Sequence, residues 1–176
     1  NFVTTLDTIT LNQPSVSKSF FHVKKDFTGS LAESGINNST EGNEQFYLQG
    51  IGGTKARINF PSLAAWYSNK YLINKATLIL PIVNSSNADF TAPPTLTFNT
   101  VTNSSTTGTQ STFDATTNSY KIDIHNKLTP DLEGKATMSY NLSILNAYNQ
   151  AEQLVLKGYK NSSNPAKLII YYTNYK

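Results

Sequence analysis

The sequence predicts an all-β protein, a β-sandwich of the jelly-roll kind, formed by a single domain over residues 1–176. Three observations predict this class. Short segments in which apolar and polar residues alternate recur along the chain, as is typical of half-buried strands. Proline, glycine and runs of Asn, Ser and Thr separate these segments. Helical spacing occurs in one short stretch near residues 61–70, so we expect one short helix there and none longer than about three turns.

The clearest strand signals lie between Gln45 and Val83. Residues 46–48 (FYL) are a compact apolar run, and the glycine-rich residues 50–53 after them suit a turn. Residues 55–60 (KARINF) alternate polar and apolar side chains, which predicts a half-buried strand. A glycine-rich loop that binds phosphate requires a helix after it, and here a strand follows.

A short helix and a long buried strand complete this stretch. Pro61 ends the preceding strand, and either Pro61 begins the helix or Ser62 caps it. Residues 72–83 are largely apolar on both faces, which predicts a strand inside a sandwich. Pro81 has no N–H, so this strand is paired on only one side there or bulges. We expect four side chains to form core: Ile58, Phe60, Leu78 and Leu80.

The remaining strands flank this stretch on both sides. The segments Phe2–Leu11 and Ser19–Val23 are predicted strands, and residues 27–44 are a long loop. Later strands are predicted at residues 95–101, 120–125, 137–145, 154–156 and 168–173, with a hairpin turn at 113–118 and a turn at 161–165.

Composition excludes several classes of function. Charged residues make up only 14% of the chain, and the net charge is +3. Lys24 and Lys25 are the only adjacent basic pair, whereas nucleic-acid binders cluster their basic residues, so we expect no nucleic-acid partner. The chain has no cysteine, which excludes disulfides, thiol catalysis and Cys-based zinc sites. No apolar stretch approaches the length that spans a bilayer.

Three segments resemble a known family. They are YLQGIGGTKARINFPSL, INKATLILPIV and NPAKLIIYYT, scattered from Gln45 to the end of the chain. They resemble the Bacteroidota surface lipoproteins called domain of unknown function 4270, and the strand–helix–strand order is also similar to jelly-roll modules of secreted polysaccharide enzymes. The resemblance implies an exported β-sandwich at the cell surface or outer membrane, allows a helical turn at residues 126–135, and transfers no catalytic residues.

The same resemblance implies a lipid anchor that this chain does not carry. The sequence has no lipobox cysteine and no recognisable signal peptide. We therefore expect an extracytoplasmic chain trimmed from a longer lipoprotein, which would be peripheral to the membrane.

Few residues suggest catalysis or metal binding. His22 and His125 each lie in a strand pattern, where a solvent-facing role is favoured over metal binding. The carboxylates that a glycosidase would need could come from Asp114, Asp123, Asp131 and Glu133, and the last two are expected in a loop. We expect no cofactor; calcium is weakly indicated by residues 114–118 (DATTN), because loop oxygens are its preferred ligands.

Aromatic side chains are the best candidates for ligand contact. The chain has ten Tyr and one Trp, and such rings bind sugars or anchor protein partners. Leu63 and Trp66 share a helical face, which favours packing of Trp66 against the sheet. The candidates are Trp66, Tyr67 and Tyr71 near the helix and Tyr171, Tyr172 and Tyr175 near the end; all but Tyr172 are selected as ligand-binding residues.

The sequence alone is compatible with three functions. The first is a non-catalytic surface module for protein assembly or adhesion. The second is a carbohydrate-binding module that takes a neutral glycan, which a linear platform of exposed aromatic rings would favour. The third is a glycan-active hydrolase or lyase, which would need carboxylates that converge in a cleft. A large apolar patch or an unpaired edge strand would instead favour a protein partner.

Overall fold

The structure is a computed structural model that describes residues 26–30, 32–36, 38–51, 53–67, 71–83, 92–101, 108–134, 138–147 and 152–174. The predicted strands at Phe2–Leu11 and Ser19–Val23, and with them His22, Lys24 and Lys25, lie outside these residues. The described chain forms three antiparallel sheets. Its strands are β1 (Gln45–Gln49), β2 (Ala56–Asn59), β3 (Tyr71–Pro81), β4 (Leu96–Thr100), β5 (Thr109–Gln110), β6 (Thr112–Asp114), β7 (Ser119–Asp123), β8 (Ser139–Ile144), β9 (Gln153–Lys157) and β10 (Lys167–Asn174).

The strands pair in a nested order. β1 pairs with β9, β2 with β8 and β3 with β7, all antiparallel. One sheet has the order β2-β8-β4-β5 and another the order β10-β3-β7-β6. The two-stranded sheet β1-β9 continues the second of these through a bridge between Ile82 and Leu156. Nested antiparallel pairing across two sheets is the connectivity of a jelly roll, and the predicted all-β sandwich is confirmed.

The core lies between the two larger sheets. Leu78 and Leu80 are buried as predicted, whereas Ile58 and Phe60 are only partly buried and pack against the core. Among the described strands, β2 is the outer one of its sheet, which is consistent with the partial exposure of its apolar side chains. Among the largest fully buried side chains on the other strands are Phe98, Tyr120, Ile122, Tyr140 and Leu142.

Pro81 marks the point where β3 loses one neighbour. It is paired with Ser119 of β7, while the register between β3 and β10 begins at Ile79. A proline cannot donate a hydrogen bond, so it fits a strand position that is paired on one side. Of the two alternatives predicted for Pro81, one-sided pairing or a bulge, the structure has one-sided pairing.

In the described ranges, three short helices accompany the sheets: α1 (Ser39–Glu44), α2 (Pro61–Trp66) and α3 (His125–Glu133). α2 is the predicted helix, and Pro61 begins it. α1 lies inside the stretch that we predicted as a loop. Its local signal is Asn38, whose side chain accepts hydrogen bonds from the N–H groups of Thr40 and Glu41. Within the described ranges, no helix is long and apolar enough to span a bilayer.

α3 corrects two predictions about polar residues. His125 begins this helix and does not lie in a strand, because β7 ends at Asp123, whose Oδ1 accepts from the His125 N–H at 3.0 Å. The His125 ring is half-buried, with Nε2 at 2.8 Å from the carbonyl oxygen of Ile73. Asp131 and Glu133 lie in the same helix rather than in a loop.

Candidate functional site

Three aromatic rings meet where α2 approaches the second sheet. The Trp66 ring stacks on Tyr71, with centroids 5.1 Å apart and planes 21° apart. Tyr172 meets Trp66 edge-on at 5.1 Å and lies 5.0 Å from Tyr71. Trp66 remains 36% exposed. We call Trp66, Tyr71 and Tyr172 the aromatic cluster.

A β-bulge places these rings together. The register between β10 and β3 shifts from Tyr171 opposite Lys75 to Tyr172 opposite Ile73, so Asn74 is the extra residue. The Asn74 side-chain amide donates to the Thr173 hydroxyl at 2.8 Å across the two strands. Such a bulge bends and twists a strand locally. It therefore sets which β10 residue shares a face with Tyr71.

The other selected residues have different surroundings. Tyr67 is half-buried and packs against the core. Tyr171 is 58% exposed and lies on the opposite face of β10 from Tyr172, because successive strand residues alternate. Tyr175 lies outside the described residues. Tyr172 was not selected, although it completes the cluster. Alternation along the strand predicts that Tyr172 and Tyr171 lie on opposite faces. The rings that Tyr172 contacts, however, are set by pairing between distant segments.

β10 is the outer strand of its sheet. In the described part of the chain it pairs only with β3, over all eight of its residues. Ile169, Tyr171 and Tyr172 are exposed large apolar side chains on this strand. Lys167, at the first position, is its only charged residue. Edge strands are ordinarily protected by shortness, charge, proline or bulges, and residues 168–174 of β10 carry no charge and no proline.

The inner face of β10 is also incompletely covered. Leu168 and Ile170 pack against the core but remain partly exposed. They lie opposite the buried Leu78 and Ala76 of β3. The core layer thus thins toward this edge, and a further strand beside β10 would extend it. Sequence analysis did not select Leu168, Ile169 or Ile170, because a short apolar run predicts a strand and not its place in a sheet.

The carboxylates considered for catalysis or calcium have local partners. Asp114 Oδ2 accepts from Lys121 Nζ at 2.6 Å, and Oδ1 accepts from the N–H groups of Thr116 and Thr117. The hydrogen bond from Lys121, followed by that from Thr117, lowers the pKa of Asp114 to about 2. This carboxylate closes the β6–β7 hairpin.

Asp131 has a different partner, on the strand beside its helix. Its Oδ2 accepts from the Tyr140 hydroxyl at 2.6 Å. Burial, followed by the hydrogen bond to Asp131, raises the pKa of Tyr140 above its ordinary value. Among the residues that the structure describes, no group of three or more His, Cys, Asp or Glu side chains could hold a metal ion.

The fold and this surface define a jelly-roll β-sandwich with a long, mainly apolar edge strand beside an exposed aromatic cluster. Comparison with known proteins adds no relative, since no family model, curated protein or solved structure matches this chain.

Proposed function

We propose that this protein is a non-catalytic, extracytoplasmic surface module that assembles with another protein through the edge of β10. The resemblance of its sequence to surface lipoproteins supports a place at the cell surface or outer membrane. The single observation that carries the assembly function is the edge strand itself, with eight residues, one charge and three exposed large apolar side chains.

An edge strand of this kind offers two sources of affinity. Its outer N–H and C=O groups can pair with an added strand, and the alternating side chains on its two faces provide specificity. Here the outer face carries Ile169 and Tyr171, while the inner face carries Leu168, Ile170 and Tyr172. An added strand would therefore gain main-chain hydrogen bonds and cover apolar surface on both faces at once.

The exposure of the aromatic cluster suggests carbohydrate binding, but the way its rings pack against one another gives that alternative less support. Sugar rings stack on free aromatic faces. Trp66 and Tyr71 cover one face of each other, and Tyr172 packs edge-on against Trp66. The rings thus form a packed group rather than a linear platform. We retain neutral-glycan binding as the second candidate, because part of the Trp66 surface is exposed.

The hydrolase or lyase alternative receives less support from the acids. Asp114 bonds Lys121, Asp123 accepts from the backbone at the start of α3, and Asp131 bonds Tyr140. Each is thus engaged in a local structural contact. These contacts favour a non-catalytic module.

The proposal is tested by comparing capture by three immobilised proteins: the wild type, Tyr171→Lys and Tyr159→Lys. The control is matched, since Tyr159 is 61% exposed and Tyr171 58%, but Tyr159 lies outside the strands. An extract of cell-envelope proteins is applied at low and high salt. We expect the wild type and Tyr159→Lys to retain the same partner and Tyr171→Lys to lose it. Salt should have little effect, because few charges lie on the edge.

Two results would contradict the proposal. One is binding on a neutral-glycan array that Trp66→Ala or Tyr71→Ala abolishes and Tyr171→Lys leaves unchanged, which would establish the carbohydrate-binding function. The other is turnover of a glycan that is lost in Asp131→Asn or Glu133→Gln.

A further inference from the structure

We propose that the partner at this edge is a second copy of the same chain, with the two β10 strands paired antiparallel about a two-fold axis centred on Ile170. This inference rests on the proposed assembly function and specifies the partner. The observation behind it is that the β10 sequence, KLIIYYTN, is complementary to itself when it is reversed.

The register follows from side-chain alternation. Opposed residues of an antiparallel pair lie on the same face of the sheet, so a two-fold pair must be centred on a residue. Centring on Ile170 places Ile169 opposite Tyr171 of the second copy, and Leu168 opposite Tyr172. Centring on Tyr171 would instead oppose Ile169 to Thr173 and Leu168 to Asn174. The first register matches apolar side chains with apolar ones, and such cross-strand pairs stabilise sheets.

The charges on and beside β10 permit this arrangement. Lys167 lies opposite Thr173 of the second copy, so the two Lys167 side chains are at opposite ends, about 20 Å apart at 3.4 Å per residue. A parallel, in-register pair would place them side by side. Lys75, on β3 opposite Tyr171, is separated from its counterpart by three strand spacings, about 14 Å. That distance exceeds the Debye length of about 8 Å at physiological salt.

A second copy would also cover the apolar side chains on the inner face of β10. Leu168 and Ile170 are partly exposed at the thin side of the core, and Tyr172 is exposed beside Trp66. In the proposed pair, Ile170 contacts Ile170 of the second copy, and each Tyr172 covers a Leu168. The two four-stranded sheets become one continuous sheet of twice that width. The exposed apolar surface at the edge is thereby buried.

The chain has no cysteine, so any disulfide that forms in a variant must involve the introduced residue. At the axis of the proposed pair, two Cα atoms lie about 4.5–5.5 Å apart, within the disulfide range of about 4.4–6.8 Å. We expect Ile170→Cys to form disulfide-linked dimers rapidly under mild oxidation. Tyr171→Cys should cross-link slowly, because its two copies are displaced along the strands. Ser163→Cys, at an exposed turn position, measures random collision.

A second measurement does not depend on an introduced cysteine. Sedimentation equilibrium of the wild type should show a dimer. Ile169→Lys should raise the dimer dissociation constant by at least about tenfold, since it places a lysine against Tyr171 of the second copy. Tyr159→Lys should leave the constant unchanged. Circular dichroism confirms that each variant is folded.

The outcomes separate this inference from the proposed function. A wild-type monomer that still captures a foreign protein through a contact sensitive to Tyr171→Lys overturns the second-copy inference and keeps the assembly function. A monomer whose β10 amides that point away from β3 exchange slowly with deuterium, and which captures nothing, overturns both, since its edge is then covered within the chain. Equal cross-linking rates for Ile170→Cys and Ser163→Cys overturn the proposed register.

Discussion

Leu80 and Leu72 occupy the same strand, β3, and have opposite environments. Leu80 is 1% exposed in the centre of the core, whereas Leu72 is 46% exposed near the start of the strand. The bulge at Asn74 separates them and changes which positions face inward. At the scale of single residues, the same side chain thus contributes very differently to stability.

We expect Leu80→Ala to lower the free energy of unfolding by roughly 2–5 kcal/mol, because it removes buried methyl groups and leaves a cavity. Leu72→Ala should change that free energy by no more than about 0.5 kcal/mol, as at other surface positions. Urea unfolding of both variants measures the difference. A loss for Leu80→Ala below about 0.5 kcal/mol would show that β3 is not the core strand described here.

Asp114 gives a residue-scale prediction about pH. Its pKa is lowered from 3.8 to about 2, mainly by the hydrogen bond from Lys121. The charged carboxylate therefore stabilises the fold fully above pH 3.8, and this contribution is lost as the pH falls toward 2. We expect urea midpoints of the wild type to fall more steeply over this range than those of Asp114→Asn.

Lys121→Met is the control for that experiment, since it removes the main cause of the lowered pKa and leaves the carboxylate in place. Its pH dependence should lie between those of the wild type and Asp114→Asn. If all three curves run parallel, the hairpin ion pair does not contribute to acid stability.

At the scale of elements, the end of α1 is joined to the end of β9 by backbone contacts. The Gly158 N–H donates to the Glu44 carbonyl and the Lys160 N–H to the Asn43 carbonyl, both at 2.8 Å. Gly158 is buried, and a Cβ added there would meet the Asn43 carbonyl oxygen. The close approach of two backbones explains why glycine occupies this position.

We expect Gly158→Ala to cost about 1–3 kcal/mol of stability, as overpacking does, and to speed amide exchange in α1. Gly42→Ala is the matched control: a Cβ at Gly42 meets nothing within 4 Å, and it lies inside α1. Alanine there should stabilise by about 0.5–1 kcal/mol through its better helix propensity. Equal effects of the two substitutions would contradict the described contact between α1 and β9.

At the scale of the whole molecule, stability comes from a core shared by two sheets that are closed by nested pairing. Buried side chains of β3 and β7 on one sheet and of β4 and β8 on the other form a single cluster. Burial of this apolar surface is the main driving force for folding. The weakly indicated calcium ligand, Asp114, is bonded to Lys121 in the structure.

We therefore expect the melting temperature to be unchanged in excess EDTA, because apolar burial stabilises the core and Asp114 already bonds Lys121. Calcium chloride added after EDTA is the control and should have no effect either. A fall of many degrees in EDTA that calcium reverses would indicate an ion at residues 114–118.

Most of the described strands, and the unusual pairing at Pro81, could be predicted from local sequence. Met138, Tyr140, Leu142 and Ile144 alternate with polar residues, and they form or adjoin β8 with their side chains buried. Pro81 indicated one-sided pairing or a bulge, because its nitrogen has no hydrogen to donate. These features depend on neighbouring residues, so they could be predicted without the fold. α1 was missed because it lies in a stretch whose Gly, Asn and Ser content predicted a loop. α3 begins at His125, where the alternation of residues 120–125 predicted strand, although the family resemblance allowed a helical turn at residues 126–135.

Only the tertiary structure decided where each strand lies in its sheet. Ile58 and Phe60 have the same alternation as core residues, but β2 is an outer strand, so they are half-buried. The aromatic cluster and the exposed edge arise in the same way, from pairing between β3 and β10. One hydrogen bond of this pairing joins the side chains of Asn74 and Thr173, 99 residues apart. Periodicity is a property of adjacent residues, whereas an edge is defined by what lies beside a strand, and in this chain that is set by distant segments.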